Sequence, residues 1–264
     1  MNNLLALKVG LVALVFAALF LAERLRPAAP VPAEGRGPGR LLRNGGLWLL
    51  NSLASPLVVV PLTAWAAAGA LDWRPAWWSS TFGLVLDLVL LDGLLYWWHR
   101  ACHEIPFLWR WHAVHHRDRW LDTTSAVRFH PGEVLLSALA RAAVVVLLAV
   151  PLSSVLAFET LILLAALFHH SNLRLPPRLE TALSRVVVTP SIHWVHHHAR
   201  RSETDSNYAT VLSLWDPLFR SRSRFPRRPD MPIGIEGEPT DGGLPDLLAQ
   251  PFRRPAPNPG TAPV

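Results

Sequence analysis

Histidine is the residue whose spacing organises chemistry in this chain: all twelve histidines fall between positions 99 and 198. His99 and His103 stand in HRACH, His112, His115 and His116 in HAVHH, and His193, His196, His197 and His198 in HWVHHH. Residues at i, i+3 and i+4 project from one face of a helix, so each group is expected to present its imidazoles to a common centre. Neutral imidazole is the commonest protein ligand for transition metals. A run such as HHH can be a casual surface tract. Two separate HxxHH triplets, each aligned to a helical face, point instead to a buried metal site.

The count argues for two ions. A structural or hydrolytic zinc takes three or four protein ligands, and eight patterned histidines exceed what one ion needs. The metalloprotease motif HExxH is absent, because His103-Glu104 has no histidine three residues on. The Glu-x-x-His pattern of soluble di-iron bundles is absent too. Cys102 is the only cysteine, which excludes an intrachain disulfide and a multi-thiolate site. Imidazole accepts Fe, Zn, Ni and Cu alike, so residue types alone leave the metal open.

The elements that carry these histidines read as membrane helices. Of 264 residues, 51% are apolar and only 17% charged, against about a quarter charged in soluble domains. Mean hydropathy is +0.25. Apolar stretches at 3–22, 46–70, 80–98, 134–150 and 152–168 predict five crossings, the last two forming a hairpin broken at Pro151. The first is expected to be a retained anchor, since no small-residue cleavage site follows it. Residues 27–45, rich in Pro, Gly and Arg, read as an exposed linker. Asp87 and Asp92 lie inside the third stretch and must face a polar interior, as helix–helix bonds or as functional groups.

The net charge of +6 is carried almost wholly by Arg beside apolar runs, which fits the positive-inside rule and not nucleic-acid binding. With the N-terminus outside, segments 23–45, 99–132 and 169–264 share one Arg-rich side, and the opposite loops hold only Arg74. Every histidine then lies on or at the cytoplasmic face. The expected fold is all-α, an integral-membrane helical bundle with a cytosolic histidine-rich di-metal cap. Residues 1–80 would form the N-terminal membrane helices and linker, and 81–222 the catalytic domain with its transmembrane hairpin. Residues 223–264 would be a disordered Pro/Arg-rich tail.

The segments HRACHEIPFLWRWHAVHH, SAVRFHPGE, FHHSN and HWVHHHARRSETDSNYATVLSLWDPLF resemble the fatty acid hydroxylase/sterol desaturase superfamily, over roughly 85–220 and with its HX3H, HX2HH and HX2HH boxes in order. The resemblance implies a membrane-bound oxygenase of the hydroxylase or desaturase type that uses two Fe ions, with Zn an alternative occupant in purified protein, and O2 as co-substrate. It implies His99, His103, His112, His115, His116, His193, His196 and His197 as metal ligands, joined by His170 or, alternatively, His169. Many relatives carry a further histidine where Ala166 stands here, which brings Asn172 into consideration as a replacement. His198 stands where a small residue is usual and is placed beside the site or at the surface. The implied substrate is a lipid: fatty acyl, sterol or related, with a carotenoid or other isoprenoid as the alternative. A metal-carrying membrane protein is the rival from another class.

Residues around the boxes have two readings each. Glu104 either orients a ligand imidazole or pairs with Arg. Asp205 and Asp216 either accept from histidine N–H groups or serve as helix caps and surface ion pairs. His130, in His130-Pro131-Gly132, reads as a structural turn near the site. Trp111, Trp194 and Trp215 either line a lipid channel or anchor at the interface. No G-x-G-x-x-G fingerprint and no cysteine set is present, so an external electron donor is expected: a reductase, a ferredoxin or a cytochrome b5-like protein. The expected setting is multi-pass in a bacterial inner membrane.

Overall fold

A computed structural model describes residues 2–32, 37–238 and 242–253, with side chains from Leu7 onward. The described residues form helices and turns, with three isolated backbone bridges and no strand. Four long helices carry the apolar runs: α1 (Asn2–Leu25), α4 (Thr81–Glu104), α6 (Pro131–Leu148) and α7 (Leu152–His170). Between the first two lie α2 (Pro38–Ala54) and α3 (Val59–Ala68), bent by 43° at their junction. Helix α5 (Pro106–His116) follows α4, and short helices α8 (Pro177–Leu183), α9 (Pro190–His196), α10 (Arg201–Thr204), α11 (Trp215–Leu218) and α12 (Leu244–Ala249) complete the described chain.

Helices α4, α6 and α7 are long and apolar enough to cross a membrane, and the bent α2–α3 pair makes a fourth if taken as one span. Only 28%, 22% and 33% of their apolar windows are buried. Leu135, Leu139, Leu147 and Leu156 point outward, as lipid-facing side chains do. The chain is a membrane protein. Five crossings were expected. The described part of α1 carries Lys8, Glu23 and Arg24, and the second stretch begins earlier than expected and breaks at residues 55–58. Inside the bundle Glu159 of α7 meets Lys8 of α1 and Arg141 of α6, both at 3.3 Å, so intramembrane charge is compensated between helices.

Local chemistry sets the helix ends. Ser80 caps α4 by accepting from the Gly83 amide. Ile105, extended ahead of Pro106, stops α4, and the proline starts α5 at its first turn. Pro131 and Pro190 likewise open α6 and α9. Ala66, Leu91, Ala142, Val145, Val155 and Phe158 form the core joining α3, α4, α6 and α7.

Two sequence expectations are corrected. The stretch 27–45 is not simply an exposed linker: α2 begins at Pro38 and buries Arg40 and Asn44. Arg40 donates to Asp118 and Asp122, at 2.8 Å each, and to the Trp120 carbonyl and Ser125. A guanidinium compensated by two carboxylates can be buried where an unpaired one cannot. The tail also packs over its described part. Met231 and Ile233 join Trp120, Leu121 and Trp194, while Leu247 packs on Leu47 and Val114. A few apolar anchors suffice there because the cap offers a preformed surface. Residues 239–241 and 254–264 lie outside the described set.

Candidate metal centre

Nine histidines gather in two groups. His99, His103, His112, His116 and His196 form one; His115, His170, His193 and His197 form the other, and the ligand atoms within each lie within 4.8 Å of one another. They come from the last turns of α4 and α7, from α5, and from α9 and the residue after it. All lie at one end of the bundle. Eight are buried as whole residues and His99 partly so.

Each HX2HH triplet is divided. His112 and His116, at i and i+4, enter the first group and His115 enters the second. His193 and His197 enter the second and His196 the first. The expectation of one centre per triplet is therefore corrected. Successive helical residues turn by about 100°, so the i+3 and i+4 members diverge by that angle and straddle the i position. The two boxes do this reciprocally, and each contributes to both groups.

Hydrogen bonds set the tautomers. His99 Nδ1 donates to the Tyr208 carbonyl at 2.7 Å, His170 Nδ1 to the Ala166 carbonyl at 2.8 Å, and His196 Nδ1 to the Ser206 carbonyl at 2.7 Å. His115 Nδ1 donates to the Arg128 carbonyl at 3.2 Å and His112 Nδ1 to Glu133 Oε1 at 2.7 Å. His103 Nδ1 lies 3.3 Å from Asp205 Oδ1. These acceptors have no proton to give, so each Nδ1 carries the hydrogen and each neutral Nε2 presents a bare lone pair. Burial, reinforced by the neighbouring imidazoles, holds His115, His116, His193, His196 and His197 well below the ordinary imidazole range.

The lone pairs converge. His99 Nε2 and His112 Nε2 stand 3.2 Å apart, and His170 Nε2 and His115 Nε2 3.1 Å apart. With both Nδ1 atoms protonated, neither pair can be a hydrogen bond. His116 joins His112 at 3.2 Å, His193 joins His170 at 3.0 Å, and His197 joins His193 at 3.1 Å, all through Nε2. The Nε2 atoms of His103 and His196 are buried without any hydrogen-bond partner. Nitrogens bound about 2.1 Å from one ion and at about a right angle would stand about 3.0 Å apart. The donor set fits a pair of metal cations.

The remaining candidates lie elsewhere. His169 is buried with its ring 3.9 Å from that of His193, but it stands outside both groups. Asn172 is occupied by the Ala29 backbone and Arg227, not aimed at the site. His130 caps α6, accepting from the Gly132 amide, and its Nε2 donates to the Leu248 carbonyl. His198 accepts from the Arg200 amide and packs on Phe225. Glu104 forms an exposed pair with Arg100. Asp205 holds both His103 and Arg201. Asp216 touches no histidine of either group; it braces the loop whose Tyr208 carbonyl orients His99, through the Ala209 amide and Ser221. Asp92 receives the Val211 and Leu212 amides and Trp215 Nε1, tying the cap to α4, and Asp87 receives Trp78, Ser154 and Arg74. Trp194 is a core residue of the cap.

Sequence reasoning missed Glu133. It sits in the first turn of α6, buried, one oxygen on His112 and the other without a partner. Its signal was its place at the end of SAVRFHPGE, directly ahead of an apolar run.

The fatty acid hydroxylase family model matches residues 84–221. The chain is 32% identical over 218 residues to the ornithine lipid hydroxylase OlsE of Rhizobium tropici, covering 81% of this chain and 64% of that protein. It is 31% identical over 157 residues to human alkylglycerol monooxygenase, covering 56% and 31% respectively. A putative Delta(7)-sterol-C5(6)-desaturase of Arabidopsis thaliana is 33% identical over 67 residues, 24% of each chain. The match thus spans under two thirds of the length of these relatives. No solved structure matches the chain.

Proposed function

This chain belongs to the fatty acid hydroxylase family, and we propose that it is a membrane-bound di-iron oxygenase that hydroxylates a polar lipid. The observation that carries the reading is the facing of Nε2 lone pairs, His99 toward His112 and His115 toward His170, at distances only a cation makes favourable. His99, His103, His112, His116 and His196 would hold one iron, and His115, His170, His193 and His197 the other. When bound, the irons would supply O2 activation and the oxidising power that an unactivated C–H bond demands. The balance is one C–H bond, O2, two electrons and two protons giving an alcohol and water. The electrons are assigned to an external reductase, ferredoxin or cytochrome b5-like protein.

The chain's own residues orient and insulate. Glu133, Asp205 and the carbonyls of Tyr208, Arg128, Ala166 and Ser206 fix ring orientation and keep Nε2 free. The packed cap around Trp120, Trp194 and Ile192 excludes water. Since the groups sit at the ends of α4 and α7, a lipid standing in the bilayer would present carbons near its head group. The names of the relatives, an ornithine lipid hydroxylase and an alkylglycerol monooxygenase, support a substrate with a polar head. That end placement also disfavours a metal-transport role, for which a site near the bilayer midplane is usual. We assign the site to the cytoplasmic face of a bacterial inner membrane, as a multi-pass protein, from the Arg distribution.

The test is iron analysis of anaerobically purified protein together with lipid mass spectrometry of producing cells. About two irons per chain and a lipid gaining one oxygen are expected; His112→Ala should lose iron from the first group and abolish the oxygenated lipid. Unchanged lipids, with the variant indistinguishable from the parent, would refute the enzyme reading.

A further inference from the structure

Beyond the histidines, a second concentration of unsatisfied charge lies at the same end of the bundle. A recess of about 380 Å³ is lined by Arg26, Pro27, Arg174, Leu175, Pro176 and Pro177. Arg26 follows the last residue of α1, and Arg174 stands four residues beyond the end of α7. Both are exposed, and among the described residues neither has a carboxylate within ion-pair distance. Among the described residues Arg174 donates only to the Ala28 carbonyl, at 3.2 Å. Arg24, two residues from Arg26, differs: it pairs with Glu23 at 2.8 Å and Asp122 at 3.6 Å.

A third cation backs the recess. Arg227 lies over the Trp194 ring at 3.8 Å and donates to the Leu173 carbonyl, next to Arg174. Burial pushes its guanidinium down to about 9; Glu180 opposes that shift and Arg174 adds to it. Three guanidinium groups gathered around one nearby carboxylate, that of Glu180, leave an excess of positive charge that an anion between them would relieve.

The recess is also rigid. Pro27 pairs with Leu173 in an antiparallel bridge, the Ala28 amide donates to the Asn172 carbonyl at 2.8 Å, and the Asn172 side chain clasps Ala29 in both directions. Three prolines fix the φ angles of its walls. Simple snorkelling of interfacial arginines needs no such frame.

We propose that the recess between Arg26 and Arg174 is a seat for the anionic phosphate of a lipid head group at the bilayer surface. Its chemistry is that of paired guanidinium forks on phosphate oxygens, and free phosphate shares it. The position of Arg174 just beyond the end of α7, a helix long and apolar enough to cross the membrane, commits the seat to a lipid. The seat stands whether or not the histidine groups hold iron.

The test uses the full chain, delipidated in detergent and titrated in native mass spectrometry with phosphatidylglycerol or phosphatidylcholine of identical acyl chains. One phosphatidylglycerol should be retained, with a preference of about tenfold over phosphatidylcholine. Arg26→Gln/Arg174→Gln should abolish the preference, Arg26→Lys/Arg174→Lys should keep part of it, and Arg178→Gln, outside the recess, should leave it intact. An unchanged melting temperature in the double Gln variant separates lost binding from lost fold. Equal retention of the two lipids, or a preference that survives the double Gln variant, overturns the proposal. Binding of inorganic phosphate with no added preference for phosphatidylglycerol would make this a free-anion site and also overturn it.

Discussion

His99 and His112 point their Nε2 atoms at each other across 3.2 Å while each commits Nδ1 elsewhere, His99 to the Tyr208 carbonyl and His112 to Glu133. Two lone pairs held face to face in a buried site are costly without a cation between them. The bonds that enforce this arrangement come from distant parts of the chain, so the fold is built to tolerate the repulsion. That requirement gives the metal reading its physical weight.

The division of the HX2HH triplets predicts which ligands share an ion. His116→Ala and His196→Ala should each weaken the ion of the first group, although they lie 80 residues apart. His115→Ala should weaken the other ion, although it adjoins His116. Metal equivalents per chain, with Mössbauer spectra of the iron-57 protein, check this. Grouping by box, with His115→Ala behaving as His116→Ala, would contradict it.

Glu133→Ala should lower metal affinity by about 10- to 100-fold, since His112 loses the acceptor that orients it. Glu133→Gln should lose less, because the amide oxygen still accepts from Nδ1. Competition against a calibrated chelator reads this without any turnover assay.

Arg40→Met should cost about 3–5 kcal/mol, because Asp118 and Asp122 would remain buried without the guanidinium that bonds both, Asp122 keeping only the longer pair with Arg24. Thermal unfolding in detergent measures it. A smaller loss is expected for Arg24→Met, whose side chain is 40% exposed.

Gly132→Ala should destabilise by about 1–3 kcal/mol, since a Cβ there would run into the Trp111 ring. The additional variant Trp111→Leu should restore part of the loss. Melting temperatures of the single and double variants decide it.

Much of the fold was legible where one local rule sufficed. The apolar runs marked α4, α6 and α7, and Pro151 marked the break between the last two. The linker and tail misled because composition does not reveal tertiary docking. Arg40 reads as solvent-exposed until Asp118 and Asp122, some 80 residues away, are seen around it. Met231, Ile233 and Leu247 are too few to predict a packed tail, yet each finds a hydrophobic cluster already assembled by other elements.

The sequence by itself determined the chemistry of the site: nine imidazoles, no set of thiolates, and boxes placed at the ends of apolar helices. It could do so because ligand type and helical spacing are local properties of the chain. Only the tertiary structure decided how those imidazoles partition, five and four, with each triplet shared between the groups. It also decided which nitrogen is free on the rings whose Nδ1 finds an acceptor, those of His99, His103, His112, His115, His170 and His196. Both depend on where α5 and α9 lie relative to α4 and α7, and on carbonyls such as those of Tyr208 and Ser206 whose side chains say nothing about the bond. Backbone acceptors leave no mark on residue identity, so their part in the site becomes visible only once the chain is folded.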